Sequence, residues 1–292
     1  MRPRIVCSLT TLPDRYDALL TTLRCIKKQK FDKIYLTLPM IAKRFNQPYP
    51  EVSEEICSLC TIVRCEQDYG PICKIYGALV NEHDTNTLIL TIDDDNLFPK
   101  NFLQIFLEKH ALQPESVITG CGALVGPGLN FFSINTSIHE LKKYKGLLGF
   151  NCPKSGREVD ILQGFSGVLY TRYMLPAKNN LNEILKYGKD HDLFCNDDIV
   201  LSAYLNSKNI KIMTFNNMPS VKSIYLESNA LSFDCLNMFS RLKRAFYKMK
   251  TLGMFNNISH STLGESPVFK IPFIIFIIIF LIIIIILYCW YF

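Results

Sequence analysis

The sequence predicts an α/β fold: a mostly parallel central sheet covered by helices on both faces. Two observations carry this. Short runs rich in β-branched and aliphatic residues alternate with longer stretches of helical periodicity through the first half of the chain. The residues of unusual chemistry stand directly after those short runs, where parallel strands gather their loops at their carboxyl ends.

In chain order, "RIVCSLT" (4–10) reads as the first strand, and a helix is expected from near Asp14. "KIYLTLP" (33–39) is the second strand and is followed by a helix from near Glu51. "TIVRCE" (61–66) is the third, with a helix after Pro71, and "TLILTID" (87–93) is the fourth. "LFPKNFLQIFLEKH" then reads as a proline-initiated helix. Beyond it, "GCGALVGPGLN" is rich in glycine and residues 126–158 have weak periodicity, which predicts a loop or lid. In "LQGFSGVLY", Gly164 and Gly167 either let the backbone approach a ligand or mark a bend before the strand "GVLYT". "DDIVLSAYL" is a helix opened by two acids, which suit its positive end and serve either as chemistry or as caps. Asn196 is placed to do the capping itself.

Three of the strand ends carry polar groups. Thr10, Thr11 and Arg15 follow the first strand, Asp68, Gly70 and Lys74 the third, and Asp93, Asp94 and Asp95 the fourth. Three adjacent carboxylates repel one another, so a partner outside the triplet must relieve them. Side chains alternate along a strand, so Asp93 and Asp95 are expected to face one way and Asp94 the other. A pair of carboxylates on one side suits a hard divalent cation, Mg²⁺ or Mn²⁺, completed by phosphate oxygens. An isolated acidic turn is the plain alternative, and the buried strand before the triplet argues against it.

The blocks "IVCSLTTLPDR", "DYGPICKIYGAL", "LTIDDDNLFPKNFL", "VDILQGFSGVLYTR" and "CNDDIVLSAYL" resemble, in this order, those of GT-A-fold nucleotide-sugar glycosyltransferases of the broad family 2-like type. The likeness runs from Pro3 to Tyr225. It implies a Rossmann-like sandwich and a metal, Mn²⁺ or Mg²⁺, held by Asp93 and Asp95 against a nucleotide-diphosphate sugar donor. It further implies that Thr10, Thr11 and Arg15 border the nucleoside, and that Asp68 and Lys74 reach the base, ribose or diphosphate, with Asp94 in the same donor-binding set. Asp198 matches the second acid of the family's Glu-Asp pair and is expected to be the catalytic base. Asp197 stands where Glu is usual and is expected to assist it. "DYGPICK" departs from the Asn-x-Gly start and the arginine more common in that family.

The implied reaction is transfer of a sugar to an acceptor hydroxyl on a glycan, lipid or protein, with inversion by direct displacement. One rival is a sugar nucleotidyltransferase, but the glycine-rich phosphate loop expected of it is missing from "SLTTLPDR". A phosphatase reading of "DDDNL" fails at Leu97, where threonine or valine is expected. From another class comes an inactive scaffold that binds nucleotide or a partner at a membrane.

Residues 1–235 are expected to form the GT-A domain, 236–270 a basic juxtamembrane segment and 271–292 a transmembrane helix. "IPFIIFIIIFLIIIIILYCWYF" (271–292) has no charged side chain, and roughly 20 apolar residues are enough to cross a bilayer. A buried core helix is the alternative. Arg241, Lys243, Arg244, Lys248 and Lys250 precede that stretch, so the positive-inside rule predicts a cytoplasmic catalytic domain on a single-pass C-terminal anchor. The apolar run in "MRPRIVCSLTTLP" is too short for a signal-peptide core. The net charge of +6 lies largely in the basic cluster, which reads as attraction to a membrane surface; no nucleic-acid motif accompanies it. Eleven scattered cysteines suit reduced thiols. Cys57, Cys60, Cys65 and Cys73 could be read as a zinc set, but their spacing and the strand around Cys65 favour buried free thiols. The five histidines show no ligand spacing, and His191 reads as a solvated loop residue.

Overall fold

The computed structural model describes residues 2–126, 129–134, 155–224, 235–256 and 258. Its strands are β1 Ile5–Thr10, β2 Lys33–Pro39, β3 Ile41–Ala42, β4 Gln47–Pro48, β5 Thr61–Cys65, β6 Leu88–Thr91 and β7 Asn96–Leu97. They continue with β8 Val117–Gly126, β9 Asn130–Ile134, β10 Arg157–Glu158, β11 Ile161–Thr171, β12 Ile212–Thr214 and β13 Lys222–Ser223. The α-helices are α1 Tyr16–Ile26, α2 Glu54–Leu59, α3 Cys73–Asn81, α4 Phe102–Leu112, α5 Asn182–Leu185, α6 Asp197–Ser207 and α7 Cys235–Thr251.

Nine strands form one sheet in the order β10-β12-β8-β11-β6-β1-β2-β5, with β9 also paired to β8. Strands β5, β2, β1 and β6 are mutually parallel, while β11 runs against both β6 and β8. The chain builds outward from β1 through β2 to β5, then crosses back to set β6 on the other side of β1. The crevice between β1 and β6 is therefore a topological switch point, where the connections diverge and leave room beyond the strand ends.

Alternation along β1 sorts the core into two layers. Ile5, Cys7 and Leu9 pack with Leu19, Leu23 and Ile26 of α1 and with Phe102 and Phe106 of α4. Val6 faces the opposite layer, with Ile75, Ala78 and Leu79 of α3 and Ile199, Val200 and Ala203 of α6. Helices thus cover both faces, as the alternating pattern predicts.

Three expectations shift. The glycine-rich "GCGALVG" is strand β8 rather than loop, buried along its whole length and paired on both sides. Small residues suit a central strand when large neighbours lean over it: a side chain at Gly122 would begin 2.5 Å from a methyl of Val159. The rest of the expected lid, 135–154, lies outside the described residues. Pro99 does not begin α4, which starts at Phe102 behind a turn in which Phe102 N–H donates to Pro99 O. Finally, residues assigned to a juxtamembrane segment form α7, whose Ala245, Phe246 and Met249 join the core beside α6. Among the described residues no helix is long and apolar enough to cross a membrane, and the segment 271–292 lies outside them.

Of the two readings of "LQGFSGVLY", the bend belongs to Gly167. The pairing of β11 with β8 shifts register between Gln163 and Val168, and Gly167 has φ +88°. A Cβ there would lie 2.7 Å from Phe102 Cζ, in an aromatic row where Phe98, Phe102 and Phe106 are 4.4 and 5.0 Å apart. Gly167→Ala is expected to lower the unfolding free energy by about 1–3 kcal/mol, from the left-handed backbone and the overpacked ring together. Urea denaturation measures it.

Candidate active site

Pairing of β1 with β6 fixes what meets at the switch point. Ser8 lies opposite Thr91, so the same register carried three residues further sets Thr11 beside Asp94. The Thr11 hydroxyl donates to Asp94 Oδ2. Strand β6 ends at Thr91, however, and Asp94 and Asp95 occupy a turn. Strand alternation therefore does not sort the three carboxylates. Cations sort them instead.

Arg15, just before α1, places Nη1 3.3 Å from Asp94 Oδ1 and 3.3 Å from Asp95 Oδ2. Lys74, in the first turn of α3, places Nζ 2.5 Å from Asp93 Oδ1 and 3.0 Å from Asp197 Oδ2. Asp198 is held by backbone rather than by a cation: its Oδ1 accepts the N–H of Gly164 at 3.0 Å. Helix α6 is fixed there by a second link, because the Ser202 hydroxyl donates to Asp198 O and accepts the Leu162 N–H.

Gly164 is where the two halves of the site close on each other. A Cβ at that position would lie 2.9 Å from Lys74 Nζ and 3.0 Å from Asp198 Oδ1. With no side chain there, the β11 backbone donates to Asp198 while passing close to the Lys74 ammonium, and a larger residue would have to push one or both of those side-chain ends aside.

Five carboxyl groups thus surround two cations. Burial and the neighbouring charges of Asp94 and Asp93 push the Asp95 carboxyl up to about 7. Burial and Asp197 push Asp198 well above the usual carboxylate range, against the pull of Lys74. Asp94 is also raised, by burial, although Arg15 and Thr11 oppose it. For Lys74, burial works against the charge, and the fields of Asp197, Asp93 and Asp198 overcome it, so the ammonium is held more tightly than in water. The pocket is short of positive charge.

Among the described residues no three acidic, histidine or cysteine side chains are arranged to hold a metal by themselves. A divalent cation bound through one or two carboxylates and completed by phosphate oxygens would suit the surplus of carboxyl groups; Asp93 and Asp95, the pair expected to hold it, each already meet a cation, at Lys74 and at Arg15. Asp197 Oδ2 is buried and meets the Lys74 ammonium at 3.0 Å without an aligned hydrogen bond.

The other residues singled out by sequence are engaged with backbone. Thr10 Oγ1 donates to Thr37 O at 2.8 Å. Asp68 accepts from Lys43 N–H at 2.8 Å and from Gly70 N–H at 2.7 Å, which ties the β3–β4 hairpin to the turn before α3. Lys43 also lies over the Phe194 ring, 4.7 Å from its centre. Asn196 does not cap α6 through its side chain; its Nδ2 donates to Asp192 O. His191 is fully exposed beside Asp192. Cys57, Cys60, Cys65 and Cys73 are free thiols.

Two residues escaped sequence reasoning. The Thr22 hydroxyl, inside α1, lies 2.8 Å from Asp94 O and accepts from Asn96 N–H at 3.2 Å. Asn96 Nδ2 in turn donates to Phe165 O at 3.1 Å, joining the aspartate turn to the Gly164 segment. A threonine at a buried helical position was the only trace of this in the sequence.

Because Asp95 binds its proton more tightly folded than unfolded, the stability it contributes is fully present below about pH 4 and lost as pH rises toward about 7. Asp95→Asn removes the charge. It is expected to gain about 1–3 kcal/mol over the parent at alkaline pH and little in acid, read by urea denaturation at both ends of the range.

No protein-family model matches the chain, and no curated protein sequence matches it. Solved structures do match. The crystal structure of GalNAc-T7 with UDP, GalNAc and Mn²⁺ superposes with a TM-score of 0.54 at 12% identity, covering 92% of this chain and 57% of that one. This chain therefore spans little more than half the length of that protein. UDP-glucose pyrophosphorylase complexed with UDP-glucose aligns at a TM-score of 0.45 and 13% identity, over 85% of this chain and 99% of that one, too loosely to assign a fold. The first likeness establishes a GT-A/Rossmann-like fold, and the fold alone.

Proposed function

We propose that this protein is a metal-dependent glycosyltransferase that moves a sugar from a nucleotide-diphosphate sugar to an acceptor hydroxyl. The observation that carries the reading is the junction at Lys74 and Gly164. It brings the aspartate turn of the switch point against the paired acids of α6, so that charge-binding and proton-accepting groups share one crevice. GalNAc-T7 was crystallised with UDP, GalNAc and Mn²⁺, and the shared fold supports the same class of donor here.

The roles follow from the chemistry. Asp93 and Asp95 would hold Mn²⁺ or Mg²⁺ together with donor phosphate oxygens. A bound divalent cation supplies counter-charge for the diphosphate that leaves. Arg15 and Thr11 fix the turn from behind through Asp94. Asp198, on the opposite wall, would take the acceptor's proton as the sugar transfers with inversion. Its raised affinity for protons makes it a stronger base once ionised. Lys74 holds Asp197 beside it.

Release of nucleoside diphosphate from a panel of nucleotide sugars, with Mn²⁺ and with chelator, tests the reading. Metal-dependent release is expected; no turnover or binding of any nucleotide sugar by the folded protein would overturn it. Asp198→Asn is expected to keep donor affinity, measured by calorimetric titration, while transfer falls by roughly two to four orders of magnitude. Asp93→Asn is expected to lose donor affinity and transfer together. An Asp198→Asn variant that transfers at the parent rate would remove Asp198 as the base.

A further inference from the structure

Helix α7 contains no acidic residue and has a clear inward side. Ala245, Phe246 and Met249 are buried, with the Phe246 ring stacked on Phe255 at 4.6 Å and edge-on to Phe131 at 6.0 Å. The outward side is of another character. Arg244 and Tyr247 are each 57% exposed, Lys250 is exposed, and Leu252 just past the helix is 55% exposed.

Two ion pairs widen this surface. Lys248 Nζ reaches Asp190 Oδ2 at 2.5 Å, and Arg244 Nε lies 3.4 Å from Asp192 Oδ1. They dock α7 against the loop that follows the 3₁₀ turn Lys186–Lys189, in which exposed Lys189 directly precedes Asp190 and exposed Lys186 opens the turn. This turn and the helix from residue 243 on carry the cations Lys186, Lys189, Lys243, Arg244, Lys248 and Lys250, against the carboxylates of Asp190 and Asp192 in the loop between them. The patch keeps a positive surplus around an exposed tyrosine and leucine.

Basic side chains around exposed aromatic and aliphatic groups match the headgroup layer of an anionic bilayer, where the cations meet lipid phosphates and the tyrosine sits at the interface. The chain's own layout points to the same occupant. The uncharged run 271–292 begins 20 residues beyond Thr251, and an extended linker spans at most ~3.6 Å per residue, so a bilayer entered by that run lies within reach of α7.

We propose that the outward face of α7, with Lys186 and Lys189, rests on an anionic lipid surface. This contact is separate from the catalytic reading and stands or falls without it. It orients the molecule with the Asp190–Asn196 loop, which leads into Asp197 and Asp198, toward the bilayer.

The test uses the full chain in vesicles. Trp290 is its single tryptophan, so Tyr247→Trp adds one reporter on the patch, and the parent supplies the background. Quenching by lipid spin-labelled at the headgroup is compared in phosphatidylcholine vesicles and in vesicles with about 30 mol % phosphatidylserine. About twofold stronger quenching of the added signal with phosphatidylserine is expected, abolished by high salt and by Lys189→Glu with Lys243→Glu. Equal quenching in both vesicle types, or none, in protein with the parent's circular dichroism overturns the proposal. If Tyr247→Trp fails to fold, Leu252→Trp gives the same reading. A DNA duplex that displaces the patch from lipid, and binds with the same dependence on Lys189 and Lys243, would overturn it in favour of a nucleic-acid surface.

Discussion

The buried ammonium of Lys74 is the contact on which the arrangement of the site depends. It stands between Asp93, from the loop after β6, and Asp197, from the first turn of α6, and both elements would otherwise present like charges to each other. Removing one member of a buried pair strands the other, a loss of about 3–5 kcal/mol where it has been measured. The same ammonium does not neutralise its surroundings, since Asp94, Asp95 and Asp198 remain raised toward their protonated forms. The fold thus holds together a crevice that stays deficient in positive charge. Under the proposed function, such a deficit suits a crevice that takes up a divalent cation together with its donor.

Sheet topology decides where this happens. Because β6 is laid on the far side of β1 from β2, the loops after β1 and β6 face one crevice, and Thr11, Arg15 and Thr22 all reach the aspartate turn from one side. The antiparallel insertion of β11 beside β6 then carries Gly164 to the opposite side. Helix α6 follows, held by Ser202 and by the amide of Gly164. Each half is tied to backbone, at Thr22 and Asn96 on one side and at Ser202 and Gly164 on the other, while the long side chains of Arg15 and Lys74 reach in to hold the carboxyl groups.

Helix α7 extends this logic to the far side of α6. Its apolar face completes the core layer over β9 and α6, and its cations hold the loop through Asp190 and Asp192. Part of the basic charge that the sequence offers for outside partners is therefore used within the molecule, and the lysines of the preceding turn restore it to the surface.

The sequence by itself determined the alternation of strands and helices, because burial on both sides of a parallel sheet demands apolar runs of one period and amphipathic stretches of another. It also determined which strand ends carry charge: Arg15, Lys74 and the aspartates stand where parallel strands must stop. It could not show that β6 ends at Thr91, since period two in the residues continues past the point where pairing with β1 stops. Nor could it show that "GCGALVG" is a central strand, because glycine reads as a turn unless the overhanging Val159 is known. Only the tertiary structure decided that Asp93 pairs with Lys74 while Asp94 and Asp95 share Arg15, and that Gly164 lies between Lys74 and Asp198. Those are contacts between residues far apart in the chain, fixed by strand register and helix docking, and no local pattern encodes them.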